Sequence, residues 1–285
     1  MQMAEHIAWR THIARRIAAH YALHPDVEAA ALIGSVALGW ADEYSDIELA
    51  VFWRRELSPE CRQQIAQDLG ATNWHANAFS TEIQAWCEDY MFEGVKIDLG
   101  HWLTATMETI VADVVTRYDA GLSKQISVFA IQHSVGLANQ LLLKQWQEMA
   151  SAYPNALAEA MVKQHLSFSP AWMLRMLAKR DDFPLVRHNL AALSTRLFIL
   201  LCALNHGYYP GHKWVARHIS TMHILPPAYL ARLQFALTAP LPEAVSEFET
   251  LVEDIIGLVD IHLPGVDTVA VLTRFNEQFT SAVAN

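Results

Sequence analysis

The sequence predicts an α+β protein, with a small mixed sheet flanked by helices over residues 1–120 and an all-helical bundle over 121–285. Two observations predict it. Apolar segments of strand length stand at 28–34, 47–53 and 95–102, separated by turn and helix signals. From about Ser123 the texture changes to long, helically periodic segments that are poor in strand patterns.

Taken in order, residues 3–21 form an amphipathic pattern with Ile7, Ile13 and Ile17 among its apolar positions, and Pro25 marks its exit. "EAAALIG" (28–34) and "IELAVFW" (47–53) have the length and apolarity of buried strands. "SPECRQQIAQDLG" carries a Ser cap, a Pro in the first turn and a closing Gly, the punctuation of a helix. "VKIDLGHW" (95–102) alternates as a third strand. The helical half then reads through "SKQISVFAIQHSVGLANQLLLKQWQ", "NALAEAMVKQHL" and "NLAALSTRLFILLCALNH", which puts the domain boundary in "RYDAGLS", residues 117–123.

Composition narrows the function classes. Thirty acidic against twenty basic residues give a formal charge of −10, which disfavours a broad nucleic-acid or anionic-membrane surface and suits a cationic small substrate. Cys61, Cys87 and Cys202 are widely spaced and form no CxxC pair, so neither a disulfide framework nor a zinc site is expected. The start of the chain lacks a signal-peptide core, and no uncharged apolar run approaches membrane-spanning length, so a cytoplasmic protein is expected. The fourteen histidines show no HExxH or HxH spacing.

The chemistry concentrates in "ALIGSVALGWADEYSDIELAVFW", residues 31–53. Asp46 and Glu48 stand two apart at the start of a strand, so their side chains emerge on one face. Like charges so placed repel unless a cation sits between them, and a hard divalent ion such as Mg²⁺ is the usual solution. Asp98, flanked by Ile97 and Leu99, offers a third carboxylate on a strand that could lie alongside. Three acids on neighbouring strands can hold two metal ions about 3.5–4 Å apart, an arrangement suited to in-line displacement at phosphorus. Gly34 lets a ligand approach the backbone, and Ser35 with the amides after it can meet phosphate.

Gly34-Ser35, a ten-residue spacer and Asp46-Ile-Glu48 leading into apolar residues resemble the signature of the DNA polymerase β type nucleotidyltransferase superfamily, over roughly residues 29–103. The resemblance implies that Gly34 and Ser35 hold the β and γ phosphates of ATP, and that Asp46, Glu48 and Asp98 bind two Mg²⁺ ions. A nucleotidyltransferase core followed by a helical domain is similar to bacterial enzymes that modify aminoglycoside or lincosamide antibiotics. It implies transfer of AMP to a hydroxyl of a small-molecule acceptor, with the helical domain closing one side of the cleft. Protein AMPylation of the toxin and antitoxin type and a non-catalytic nucleotide-binding module are the alternatives, and the helical half could also pair two copies as a homodimer.

Two further stretches leave their readings open. "LNHGYYPGHKWVARHI" (204–219) resembles a stretch seen in such relatives; a helix starting near His212 after Pro210-Gly211 would present Lys213 and Arg217 on one face, either to triphosphate or to solvent. In "TEIQAWCEDYMFEG" (81–94), Glu82, Glu88, Asp89 and Glu93 could supply a general base or a cation-binding acid, or simply a solvated helix or hairpin face. Asp98 itself could take the acceptor's proton.

Overall fold

A computed structural model of the chain describes residues 2–278. The molecule divides into two compact units, one made of residues up to 117 together with 126–152, the other of residues 118–125 together with those from 153 onward.

The first unit opens with α1 (Gln2–Tyr21), followed by β1 (Val27–Ile33), the single turn α2 (Gly34–Ala37), β2 (Ile47–Trp53) and α3 (Pro59–Leu69). Then come β3 (Thr72–Ala76), β4 (Ala85–Phe92), β5 (Val95–Leu103), α4 (Thr104–Arg117), α5 (Leu122–Gln132, of which residues 126–132 belong to this unit), β6 (Val135–Ala138) and α6 (Gln140–Ala150). The expected α+β class is the observed one, and the predicted first helix and three strands are present. Ser58 caps α3 as its sequence predicts, accepting a hydrogen bond from the Cys61 N–H, and Gly70 closes it.

Six strands form one mixed sheet in the order β3-β4-β5-β2-β1-β6; β2 and β5 run parallel and every other neighbouring pair is antiparallel. One face is apolar: Leu32, Leu49, Val51, Ile97 and Leu99 pack with Ile13, Ile17 and Tyr21 of α1 and Ala66 of α3. Burying these side chains is the main stabilisation of the unit, at about 1.5–3 kcal/mol each. The opposite face is partly covered, with Trp146 of α6 meeting Phe52 edge-on at 4.9 Å. The rest of that face carries the polar residues described below.

Of the helix and hairpin readings of residues 81–94 the structure has the hairpin: residues 85–92 are the strand β4, joined to β5 by Glu93 and Gly94, both at positive φ (51° and 81°), the backbone of a tight two-residue turn. One expectation changes. The chain beyond 121 is not all helical. Val135–Ala138 pairs antiparallel with β1 as the last strand of the sheet, and α6 packs on β1 and β6. Residues 126–152 thus lie with the sheet, not with the helices that follow. A four-residue strand is too short to show a period of two, so its helical neighbours hide it.

The second unit contains α7 (Asn155–His165), α8 (Ala171–Lys179), α9 (Phe183–Leu204), α10 (Val215–Ile219), α11 (Tyr229–Thr238), α12 (Leu241–His262) and α13 (Val269–Phe275). Helix α9 is its core element, with Leu190 and every residue from Leu197 to Leu204 buried and with contacts to α7, α8, α11 and α12. By length and composition α9 is apolar enough to cross a membrane, and here much of it is packed among these helices. Its Arg187 donates to the carbonyls of Ala236, Leu237 and Ala239, satisfying the open end of α11. Arg232 joins α11 to α12 through Glu247 (2.5 Å) and Asp254 (2.6 Å).

Candidate active site

The antiparallel turn from β1 to β2 and the parallel pairing of β2 with β5 bring three distant stretches of sequence into one line. Ile33 pairs with Glu48, Glu48 with Asp98, Asp98 with Asp89, and Asp89 with His75. Register partners point to the same side of a sheet, so three carboxylates and an imidazole form a row across its less covered face. Of these, Glu48, Asp98 and Asp89 line a cleft of about 260 Å³ together with Asn77 and Cys87.

Gly34 follows Ile33 and therefore stands beside Glu48. Its φ is +67°, and a Cβ built on it would come within 1.6 Å of Glu48 Oε2 and 3.2 Å of Glu48 Cβ. The Glu48 carboxyl lies across the glycine, which leaves no room for a side chain, and the left-handed φ is one that glycine adopts without strain. Ser35 is buried in the turn α2. The structure thus joins Gly34, Ser35, Glu48 and Asp98 at one end of the sheet.

Asp46 enters β2 from a loop that is fastened twice. Asp42 and Ser45 close a turn, with the Ser45 hydroxyl donating to Asp42 Oδ1 (2.9 Å) and accepting from the Asp42 N–H (3.0 Å). From α1, Arg10 donates to the carbonyls of Ser45 (2.8 Å), Glu43 (3.3 Å) and His6 (3.4 Å). Arg10 is only 3% exposed. Burial pulls its guanidinium below the ordinary range, while the charges of Asp42 and Asp46 oppose that pull.

Lys96, which sequence reading passed over, is the cation of the row. Its Nζ lies 2.6 Å from Oδ1 and 2.8 Å from Oδ2 of Asp98. The hydrogen bond to Asp98 holds the ammonium above its usual range against a small burial penalty, with Asp98, Asp46 and Asp89 adding their charges. The alternation of "VKID" was the available signal, because it puts Lys96 and Asp98 on one face. Cys87 lies beside them. Burial pushes its thiol up, and the charges of Asp98 and Glu88 push it further.

Among the described residues no three His, Cys, Asp or Glu side chains converge as a ready metal site. The donor set is nevertheless right in kind for a hard divalent cation: carboxylate oxygens in adjacent register, with an ammonium already held against Asp98. The side chains are turned to other partners, Glu48 onto Gly34 and Asp98 onto Lys96.

Glu88, on the apolar side of β4 and bordering the cleft from beneath, is a buried carboxylate. It accepts from Trp74 Nε1 (3.3 Å) and the Tyr21 hydroxyl (3.4 Å), with His101 Nε2 at 3.7 Å and Arg62 Nε at 4.0 Å. Trp53 Nε1 donates to His101 Nδ1 at 2.9 Å, which leaves the ring proton of a neutral His101 on Nε2, facing Glu88. Arg62 also donates to the Asn77 carbonyl (3.0 Å), so this buried layer supports the cleft wall. Burial works against the Glu88 charge, but His101, Trp74 and Arg62 together hold its carboxyl below the usual range. The other acids of residues 81–94 part company: Glu82 is exposed, and Glu93 pairs with Arg16 at 2.6 Å.

Lys213 belongs to the second unit, exposed in the turn before α10. The helix expected from His212 begins instead at Val215, because Trp214 adopts a left-handed conformation (φ 58°). Lys213 and Arg217 therefore do not share a helical face. Arg217 stacks on Trp214 (5.4 Å), and Tyr209 is buried with its hydroxyl near His212.

A family model described as a domain of unknown function, DUF4037, matches residues 123–215. No curated protein matches the sequence. Among solved structures, the chain is similar to a nucleotidyltransferase-like protein from Exiguobacterium sibiricum 255-15, at 12% identity and a TM-score of 0.43, over 88% of this chain and 77% of that one.

Proposed function

We propose that the chain is a nucleotidyltransferase that moves a nucleoside monophosphate, AMP from ATP, onto a hydroxyl of a small acceptor and releases pyrophosphate. The observation that carries the reading is the pairing of Glu48 with Asp98, with Gly34 against the Glu48 carboxyl and Asp46 one residue ahead of the strand. The register that pairs Glu48 with Asp98 supports reading the Gly34-Ser35, Asp46-Ile-Glu48 pattern and Asp98 as parts of one site. Asp46, Glu48 and Asp98 would hold Mg²⁺, which when bound neutralises phosphate charge and lowers the pKa of an attacking hydroxyl. The chain's own part is orientation. Gly34 gives the Glu48 carboxyl its seat and would meet a phosphate only after that carboxyl turns away, Ser35 continues the turn, and the Arg10 clamp sets where Asp46 enters. Asp98, at the cleft, is the carboxylate assigned to the acceptor's proton. In the displacement, the acceptor oxygen forms a bond to the α-phosphorus as the bond to pyrophosphate breaks. An aminoglycoside or lincosamide is the acceptor class that suits the acidic chain.

Pyrophosphate release from each of the four nucleoside triphosphates with Mg²⁺, against a panel of aminoglycosides and lincosamides, tests this. Release is expected with ATP and one acceptor class, and Asp46→Ala should lower it on the order of a thousand-fold while the protein stays folded. An Asp46→Ala protein with full activity would end the mechanism. Labelled ATP incubated with a cell lysate separates a protein acceptor from a small one.

A further inference from the structure

Lys96 occupies the position of a cation on the carboxylate row. One ammonium engages both oxygens of Asp98, at 2.6 and 2.8 Å. The two side chains stand two residues apart on the same face of β5, so the pair forms without any backbone adjustment. Across the β4–β5 pairing Asp98 faces Asp89, and Lys96 faces Met91, which makes Asp89 the diagonal neighbour of Lys96 on that face. The ammonium already interacts with the charges of Asp46 and Asp89.

We propose that Lys96 is the resident counter-ion of the row, that a divalent cation must displace it from Asp98, and that Asp89 receives the displaced ammonium. This rests on the reading of Asp46, Glu48 and Asp98 as metal ligands. Without a counter-ion the row is a line of like charges; with Lys96 it is partly neutralised in the metal-free protein. A divalent ion ligated by Asp98 cannot share that carboxylate with an ammonium held by both its oxygens, because the two cations would repel at contact distance. The lysine stem is long and flexible enough to turn to Asp89 while the sheet stays still. Metal affinity is then set by a competition inside the protein, and the metal-free site keeps its carboxylates apart from adventitious cations.

Mn²⁺ titrated into the full-length protein, with free Mn²⁺ counted by electron paramagnetic resonance, tests the exchange. Lys96→Met should bind Mn²⁺ about two- to five-fold more tightly than the wild type, the size expected for a half-exposed ion pair. Lys96→Arg, which can hold both Asp98 oxygens, should bind no more tightly than the wild type. Asp89→Asn should weaken binding, and that loss should shrink in the Lys96→Met background, where no ammonium needs a new partner. Unchanged or weaker Mn²⁺ binding by a folded Lys96→Met protein overturns the proposal. An Asp89→Asn loss of equal size in both backgrounds overturns the role of Asp89. Mn²⁺ binding that is lost in Asp46→Ala but indifferent to Lys96→Met keeps the metal-ligand reading and overturns only the counter-ion. Failure of the wild type and every variant to bind Mn²⁺ overturns both.

Discussion

Gly34 and Glu48 show how a single backbone conformation can matter more than a side chain. A Cβ at Gly34 would collide first with the far end of the Glu48 side chain, which can turn away, so the fold can absorb Gly34→Ala while the carboxyl is evicted from its seat. The remaining cost is the left-handed φ, about 1–2 kcal/mol. Gly34→Ala should therefore stay folded, with a modestly lower Tm in a thermal melt, and lose most of its pyrophosphate release. Glu88 makes a different point at the same scale. Its carboxyl sits below the usual range in the fold, so the unfolded chain binds a proton more readily than the folded one. The stability it contributes is present above the unfolded carboxylate pKa of about 4.3 and is lost as pH falls through the folded value. Glu88→Gln should lower stability at pH 7 by about 1–3 kcal/mol. It should also make the decline toward acid shallower, as read by urea denaturation between pH 3 and pH 7.

At the scale of elements, the loop before β2 matters because it delivers Asp46. Helix α1 buries its apolar face on the sheet and sends Arg10 into that loop, so one helix both closes the core and sets the entry of a carboxylate. Arg10→Met leaves the Ser45 and Glu43 carbonyls without their donor, at a cost of about 1.5–3 kcal/mol. Activity should fall further than this stability loss accounts for, through kcat more than KM. Arg10→Lys should recover little, since a point-like ammonium cannot span carbonyls that a guanidinium fork spans. Comparison of kcat and urea midpoints for the three proteins checks both statements. The strand β4 contributes through register: moving it by one residue would turn Asp89 to the apolar face and Glu88 to the cleft.

At the scale of the whole molecule, the first unit needs a segment that lies beyond its apparent boundary. β6 covers the outer edge of β1 through Ala30, Ala31 and Leu32, and α6 buries Trp146 against Phe52. A fragment ending at residue 120 would lose that strand and helix, exposing a strand edge and an apolar patch. A fragment ending at residue 152 keeps both. The longer fragment should be monodisperse by size-exclusion chromatography and unfold cooperatively, and the shorter should aggregate.

By itself the sequence determined those features whose physical signal is local. The cap and closing glycine of α3, the amphipathic α1, the apolar runs of β1 and β2 and the alternation of β5 are all legible within a few residues, as is the Gly34-Ser35, Asp46-Ile-Glu48 pattern. Only the tertiary structure decided what depends on pairing between distant residues. β3 and β6 are short edge strands with little apolar patterning, and β4 mixes acids with aromatics, so none announces itself before its partner is known. Lys96 reads as an ordinary surface lysine until Asp98 turns toward it, and Asp89 becomes a neighbour of Asp98 only through the β4–β5 register. Glu88 and Asp89, adjacent in the chain, part because successive residues of a strand face opposite sides: one is buried with the core and the other shares the face of Asp98.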